Sequence, residues 1–352
     1  MTVHRLIGSP LAAIIFLVTA GTVSAQTQKE LLDELDRTIE EAESYVSAKE
    51  VRIKTIENTL HSRGVSPERQ YRIYGELFDE YQPFNYGKAV ETLDKQMEIA
   101  MLLGDKSKLN DVYLKEAMLN TAAGEFLEAR NDLARVDTTI FTKEQEIAYC
   151  NVQQRFWFDY DENLKGADKS MLRKVAYYRE RLLALADPSS SLSRYVTVRK
   201  YIDEKYFAQA DFINRHSLSR MDPASHDYAN LAYFQARICE SLNRREEMKN
   251  WFIRSAMADI KTATKDNASL FSLADALFKD GDYARAFKYS SFSLEDAIAF
   301  DAKLRQWQIS AILPAVQKSY TDIQQTHQKK TSNMLVAMYV LVFLLLGGSF
   351  AL

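Results

Sequence analysis

Asn120-Thr-Ala-Ala-Gly124-Glu-Phe126-Leu-Glu-Ala129 decides how this chain is read. Gly124 is a small residue suited to closing a turn between two helices, an aromatic follows two positions on, and Ala129 fits a close helix crossing. Gly281-Asp-Tyr283-Ala-Arg-Ala286 repeats the pattern, and Ala274 precedes Gly281 just as Ala117 precedes Gly124. Weaker copies stand at Tyr86/Ala89, Phe207/Ala210 and Arg245/Met248. The crossing positions 89, 129, 210, 248 and 286 are separated by 40, 81, 38 and 38 residues. A step of 81 is two repeats of about forty, so a degenerate copy is expected between 143 and 187. Thr142 and Gln145 supply a capping box there, 159–168 is turn-rich, and Met171 to Leu185 has helical apolar spacing.

This pattern resembles the tetratricopeptide repeat. The expected fold is all-α: six tetratricopeptide-like helix pairs over 66–300, stacked into a right-handed superhelix in which each pair touches only its neighbours. Composition agrees, since 11 glycines and 6 prolines in 352 residues are too few for the turns of a sandwich or barrel. With 47% hydrophobic residues the chain is not disordered. A formal charge of −3 gives no electrostatic footprint for nucleic acid.

Ahead of the array, 26–63 reads as one long heptad helix. Leu32, Leu35, Ile39, Ala42, Val46, Lys49, Ile53, Ile56 and Leu60 recur at steps of three and four. It is expected to cap the first repeat; a homodimeric coiled coil is the other reading, opposed by Lys49 on the seam. Ser66-Pro67 restarts a helix with an N-cap and a proline at its first position. Behind the array, Leu294 to Lys330 reads as a further long helix, with 301–331 as the connecting segment and Pro314 expected to kink or break it.

The two ends are apolar. Residues 1–25 read as a signal peptide, with His4 and Arg5 before the run Leu11 to Ala20 and small residues at Val23-Ser24-Ala25. Residues 333–352 carry no charge, and about 20 helical residues span a hydrocarbon core, so a single transmembrane helix is expected. No Lys or Arg follows it, from which the natural protein is expected to continue past Leu352. The implied location is the inner membrane, single-pass, with the repeats in the periplasm.

No catalytic, cofactor-binding or metal-ligating residue is assigned. H-E-x-x-H, C-x-x-C and G-x-S-x-G are absent from the sequence. His216 and His226 read as surface histidines and Asp159-Tyr160-Asp161-Glu162 as a solvated turn. Cys150 and Cys239 sit about two repeats apart, which keeps them from pairing. Phe156-Trp157-Phe158 with Tyr160, and Tyr177-Tyr178, read either as repeat core or as the lining of a ligand groove.

Three segments carry a family resemblance: Tyr45, Lys49, Glu50, Arg52 and Ile53; Tyr74, Leu77, Phe78, Glu80 and Tyr81; and Leu304-Arg305 with Ile309, Ile312, Leu313 and Pro314. Over 27–352 the chain resembles the exported tetratricopeptide-repeat, single-span regulators of Bacteroidetes. The resemblance implies signal transduction with a cytoplasmic, commonly DNA-binding output that these residues do not contain. The expected function is that of a membrane-anchored periplasmic sensor or scaffold. It would bind a peptide, protein or glycan on the concave face and pass the event through the span. A static envelope adaptor is the alternative.

Overall fold

The computed structural model describes residues 27–350 except 61, 63, 164–168, 266 and 302, and leaves out the side chains of 163, 303–305 and 344–350. The expected signal peptide therefore lies outside the described residues. Among them the regular structure is helical, without strands. Six helix pairs run in register: α3 (Pro67–Tyr81) with α4 (Tyr86–Leu102), α5 (Lys106–Ala123) with α6 (Phe126–Arg135), and α7 (Lys143–Asn163) with α8 (Lys169–Leu185). Then follow α9 (Ser191–Asp203) with α10 (Phe207–Leu218), α11 (His226–Ser241) with α12 (Arg245–Lys261), and α13 (Ala268–Asp280) with α14 (Tyr283–Phe300).

The crossing positions are where backbones approach most closely. Ala89, Ala129, Ala210 and Ala286 are fully buried, and Met248 nearly so. Five residues before four of these positions the chain turns through the left-handed region, at Gly124 (φ 85°), Lys205 (φ 63°), Asn243 (φ 57°) and Gly281 (φ 87°). Of the three weaker copies, Phe207/Ala210 and Arg245/Met248 thus keep the turn and have lost only its glycine, while Tyr86/Ala89 lacks the left-handed residue. A side chain with a Cβ pays a steric penalty there. Lys205→Gly is expected to stabilise the chain by about 0.5–1 kcal/mol, read as a higher urea midpoint at unchanged slope.

The degenerate third pair is α7 with α8. Its capping box is formed: Gln145 N–H donates to Thr142 Oγ1 at 3.2 Å, and Thr142 N–H to Gln145 Oε1 at 3.2 Å. The acidic run at 159–162 is not a turn but the last part of α7. Arg155 donates to Asp159 one turn on at 2.7 Å, and Tyr160 packs its ring on Phe126 and Phe156. These contacts carry the helix past the point where its polarity suggested a stop.

The long N-terminal helix is two segments, α1 (Gln28–Glu40) and α2 (Ala42–Leu60), interrupted at Glu41. The amide and hydroxyl of Ser44 both donate to the Glu41 carbonyl, at 2.9 and 2.7 Å, which tightens the backbone there. α2 lies on α3, as expected of a cap. α1 instead packs on α12, far along the array. Leu31, Leu32 and Leu35 enter the same core as Phe252, Ile253, Met257 and Tyr289.

Contacts are therefore not limited to neighbours. The superhelix curves until its first and last pairs meet. Lys265 N–H donates to the Pro83 carbonyl at 2.8 Å. The ring of Tyr86, opening α4, stands edge-on to Phe300, closing α14, with centroids 6.3 Å apart.

The helix expected over 294–330 is broken by Asp301, which adopts a left-handed conformation (φ 67°). After it α15 (Lys303–Phe350) runs through Pro314 without interruption. Ile309 and Val316 are buried against the array, but every described side chain from 321 to 343 is exposed. Among the described residues no helix is long and apolar enough to cross a membrane, so the expected transmembrane helix is not found. The apolar side chains described, 334–343, cover about 15 Å of helix against a hydrocarbon core of about 30 Å; the side chains of 344–352 lie outside the described ones.

Candidate functional site

The concave side of the curved superhelix holds a half-open cavity of two adjoining lobes, about 650 and 450 Å³. Ala122, Arg155, His226 and Asn230 line both and mark their junction. The inner faces of α2, α3, α5, α7, α9 and α11 contribute to the walls. Phe300, from the closing contact, lines the first lobe, and Gln308 of α15 lines the second.

The first lobe is polar at its floor. Lys49, the misfit of the heptad seam, is 4% exposed and pairs with Glu80 at 3.2 Å. It is thus a wall residue held by α3, and no dimer is needed to account for it. Burial lowers its ammonium pKa, with Glu80 opposing. Burial likewise raises the Asp79 carboxyl above its ordinary value, with Lys115 pulling the other way. His226 places Nδ1 3.4 Å from Thr264 Oγ1 and 3.9 Å from Asp259. In the closing contact itself, Lys265 bonds Asp296 at 2.6 Å, and burial still pushes that carboxyl up to about 6.

The second lobe is aromatic with paired charges. Arg199 lies over the Phe158 ring at 3.8 Å and donates to Asp203 at 3.3 Å. Tyr195, Tyr233 and Phe234 complete its apolar wall. The aromatic run of α7 is thereby divided by helical geometry. Phe156 is core, 2% exposed, Phe158 lines the cavity, and Trp157, about 100° round the helix from it, lines a separate groove. Across both lobes the lining holds four basic side chains (Lys49, Arg155, Arg199, Arg237) against seven acidic ones.

Of the residues singled out in the sequence, His226 is a cavity residue, and His216, on α10, is not among the lining. Among the described residues no group of His, Cys, Asp and Glu is arranged to hold a metal. Cys150 and Cys239 are both buried and free; burial pushes the Cys150 thiol up to about 11. Arg155, Asn230 and Gln308 were not legible as site residues, because they converge only when separate repeats stack and the superhelix closes.

This is a tetratricopeptide-type repeat domain folded back on its own ends. The family model of the SusR N-terminal TPR domain matches residues 39–311, and the chain belongs to that family. The match runs from the end of α1 to the start of α15, just short of Pro314. No curated relative matches the chain.

Proposed function

We propose that the chain is the sensing part of a SusR-type regulator. It is exported, anchored in the inner membrane by 333–352, and faces the periplasm with its repeats. A short peptide or glycan occupies the half-open cavity, and α15 carries the event towards the bilayer. The observation that carries this reading is the position of Gln308. One helix lines the cavity and then continues for about 45 Å beyond the last contacts of the array. Lobes of this size suit a small ligand rather than a folded protein, and the acidic excess in the lining favours a neutral or cationic ligand over an anion. The uncharged run at the chain end, whose described apolar side chains have no protein partner (Phe343 is 78% exposed), supports the anchor.

Transmission requires a ligand that binds two arrangements of α15 unequally. The test is a thermal-shift screen of the full chain with short peptides and neutral oligosaccharides, followed by Asn230→Trp, which fills the junction between the lobes. A ligand at about a hundred times its Kd adds about 2.7 kcal/mol, a rise of a few degrees in Tm. Asn230→Trp is expected to abolish that rise while leaving the unliganded Tm within about 2 °C. Equal shifts in both proteins would remove the cavity from the mechanism.

A further inference from the structure

Trp157 points away from the cavity into a separate groove of about 470 Å³ on the outer side of the third pair. Trp157 and Gln153 of α7 form one wall, and Ser170, Arg173, Lys174, Tyr177 and Tyr178 of α8 the other. The groove is aromatic at its base and cationic at its rim. Lys174 holds its ammonium 3.5 Å from the Trp157 ring centroid. Trp157 is kept in place from below: its indole N–H donates to Gln153 Oε1 at 2.9 Å, and the Gln153 amide donates to the Tyr149 hydroxyl at 2.9 Å. Tyr177 stands edge-on to Tyr178 (centroids 5.1 Å) and is itself 59% exposed.

The charge of this surface runs against that of the chain. Lys169, Arg173 and Lys174 occupy the first two turns of α8, and no acidic residue follows until Glu180. The other exposed cations of the array are commonly matched, as Lys88 is with Glu91 and Lys95 with Glu98. Among the described residues Lys169 and Arg173 have no carboxylate partner. An exposed tyrosine and a half-buried tryptophan beside unpaired cations are the composition of an interface centre, where large rigid rings supply the contact and the charges select the partner.

We infer that this outer groove of α7 and α8 docks an acidic segment of a partner protein that carries an aromatic anchor. The ring of the anchor enters between Trp157 and Tyr177, and carboxylates on either side of it meet Arg173 and Lys169. The site is independent of the cavity, because the residues that line it line neither lobe. A SusR-type domain would then have an inner face for its ligand and an outer face for a protein.

The test uses the full chain in mild non-ionic detergent and a fluorescein-labelled random copolymer of glutamate and tyrosine, read by anisotropy. Saturable binding is expected, at least about tenfold tighter than that of polyglutamate. Tyr177→Ala and Arg173→Glu should each weaken it about tenfold, and Tyr177→Phe by less than about threefold. Both sites are exposed, so helicity and Tm should not change. Three outcomes overturn the proposal: polyglutamate binding as tightly as the copolymer, variants binding like the wild type, or inorganic polyphosphate displacing the copolymer at equal charge concentration. Concentration-dependent dimerisation lost in Tyr177→Ala would overturn it too, reassigning the groove to a second copy. Asn230→Trp should leave copolymer binding intact, which separates this proposal from the cavity reading.

Discussion

Phe300→Ala should open the ring. Phe300 is 3% exposed and shares its cluster with Ala297 and Ile309, while Tyr86 reaches it from the first pair. Truncating a buried phenylalanine costs about 3–5 kcal/mol, part of it for the cavity left behind. Here the loss falls on a contact between the two ends of the array, which sequential stacking does not maintain. The effect should therefore be local as well as global. The amide of Lys265, bonded to Pro83 in the same seam, should exchange its hydrogen much faster, and the radius of gyration should grow. Phe300→Leu, which keeps most of the volume, should cost under about 1.5 kcal/mol and leave the seam closed. If Phe300→Ala destabilises by less than about 1 kcal/mol with Lys265 still protected, the closure is not held by this contact.

That seam marks the limit of what the sequence discloses. The helix pairs were legible because their information is local. An alanine at four of the five crossings, a turn residue five positions earlier at four of them and a step near forty suffice to place them, and even the degenerate copy announces itself through Thr142 and Gln145. Closure is different in kind. Lys265 reaches a main-chain carbonyl at Pro83, and Tyr86 meets Phe300, across more than 180 residues. Neither pair forms part of a periodic pattern. Closure accumulates from small rotations between successive repeats, and no single residue encodes them. The cavity inherits this. Its residues lie on separate helices and look individually like the ordinary polar inner face of a repeat. Lys49 is instructive: as a seam residue it argued against a dimer, and only the structure supplies Glu80 as the reason a lysine is buried there. The interruption at Glu41 was equally hidden, since no Gly or Pro marks it and the heptad spacing continues across it.

Asp36→Ala should detach the N-terminal helix from the far end of the array. Asp36 of α1 accepts three hydrogen bonds from α14: Arg285 Nε at 3.0 Å, Lys288 Nζ at 3.0 Å and the Tyr289 hydroxyl at 3.1 Å. Arg285 also reaches Asp33 at 2.7 Å. Burial raises the Asp36 carboxyl pKa, but the donors from Lys288 and Arg285 outweigh it, and the net displacement is downward from 3.8. A depressed carboxyl stabilises the fold above its unfolded pKa, and that contribution is lost as the pH falls through the folded value. The variant should therefore lose about 2–3 kcal/mol at pH 7, because the Tyr289 hydroxyl, on a fully buried side chain, is left unpaired, while Arg285 falls back on Asp33 and Asp282 and Lys288 on Glu40. Urea denaturation at pH 3 should show a smaller deficit, since the wild type is itself losing the interaction there. Asp36→Asn keeps the shape without the charge and should fall between the two. The consequence reaches α15: Val316 belongs to the same core as Leu31 and Leu35, so loosening α1 removes packing from the root of the helix proposed to carry the signal. Hydrogen exchange at 309–316 should rise in Asp36→Ala. A loss of stability with that segment unchanged would make the N-terminal clamp a stabilising device alone, with no part in setting the position of α15.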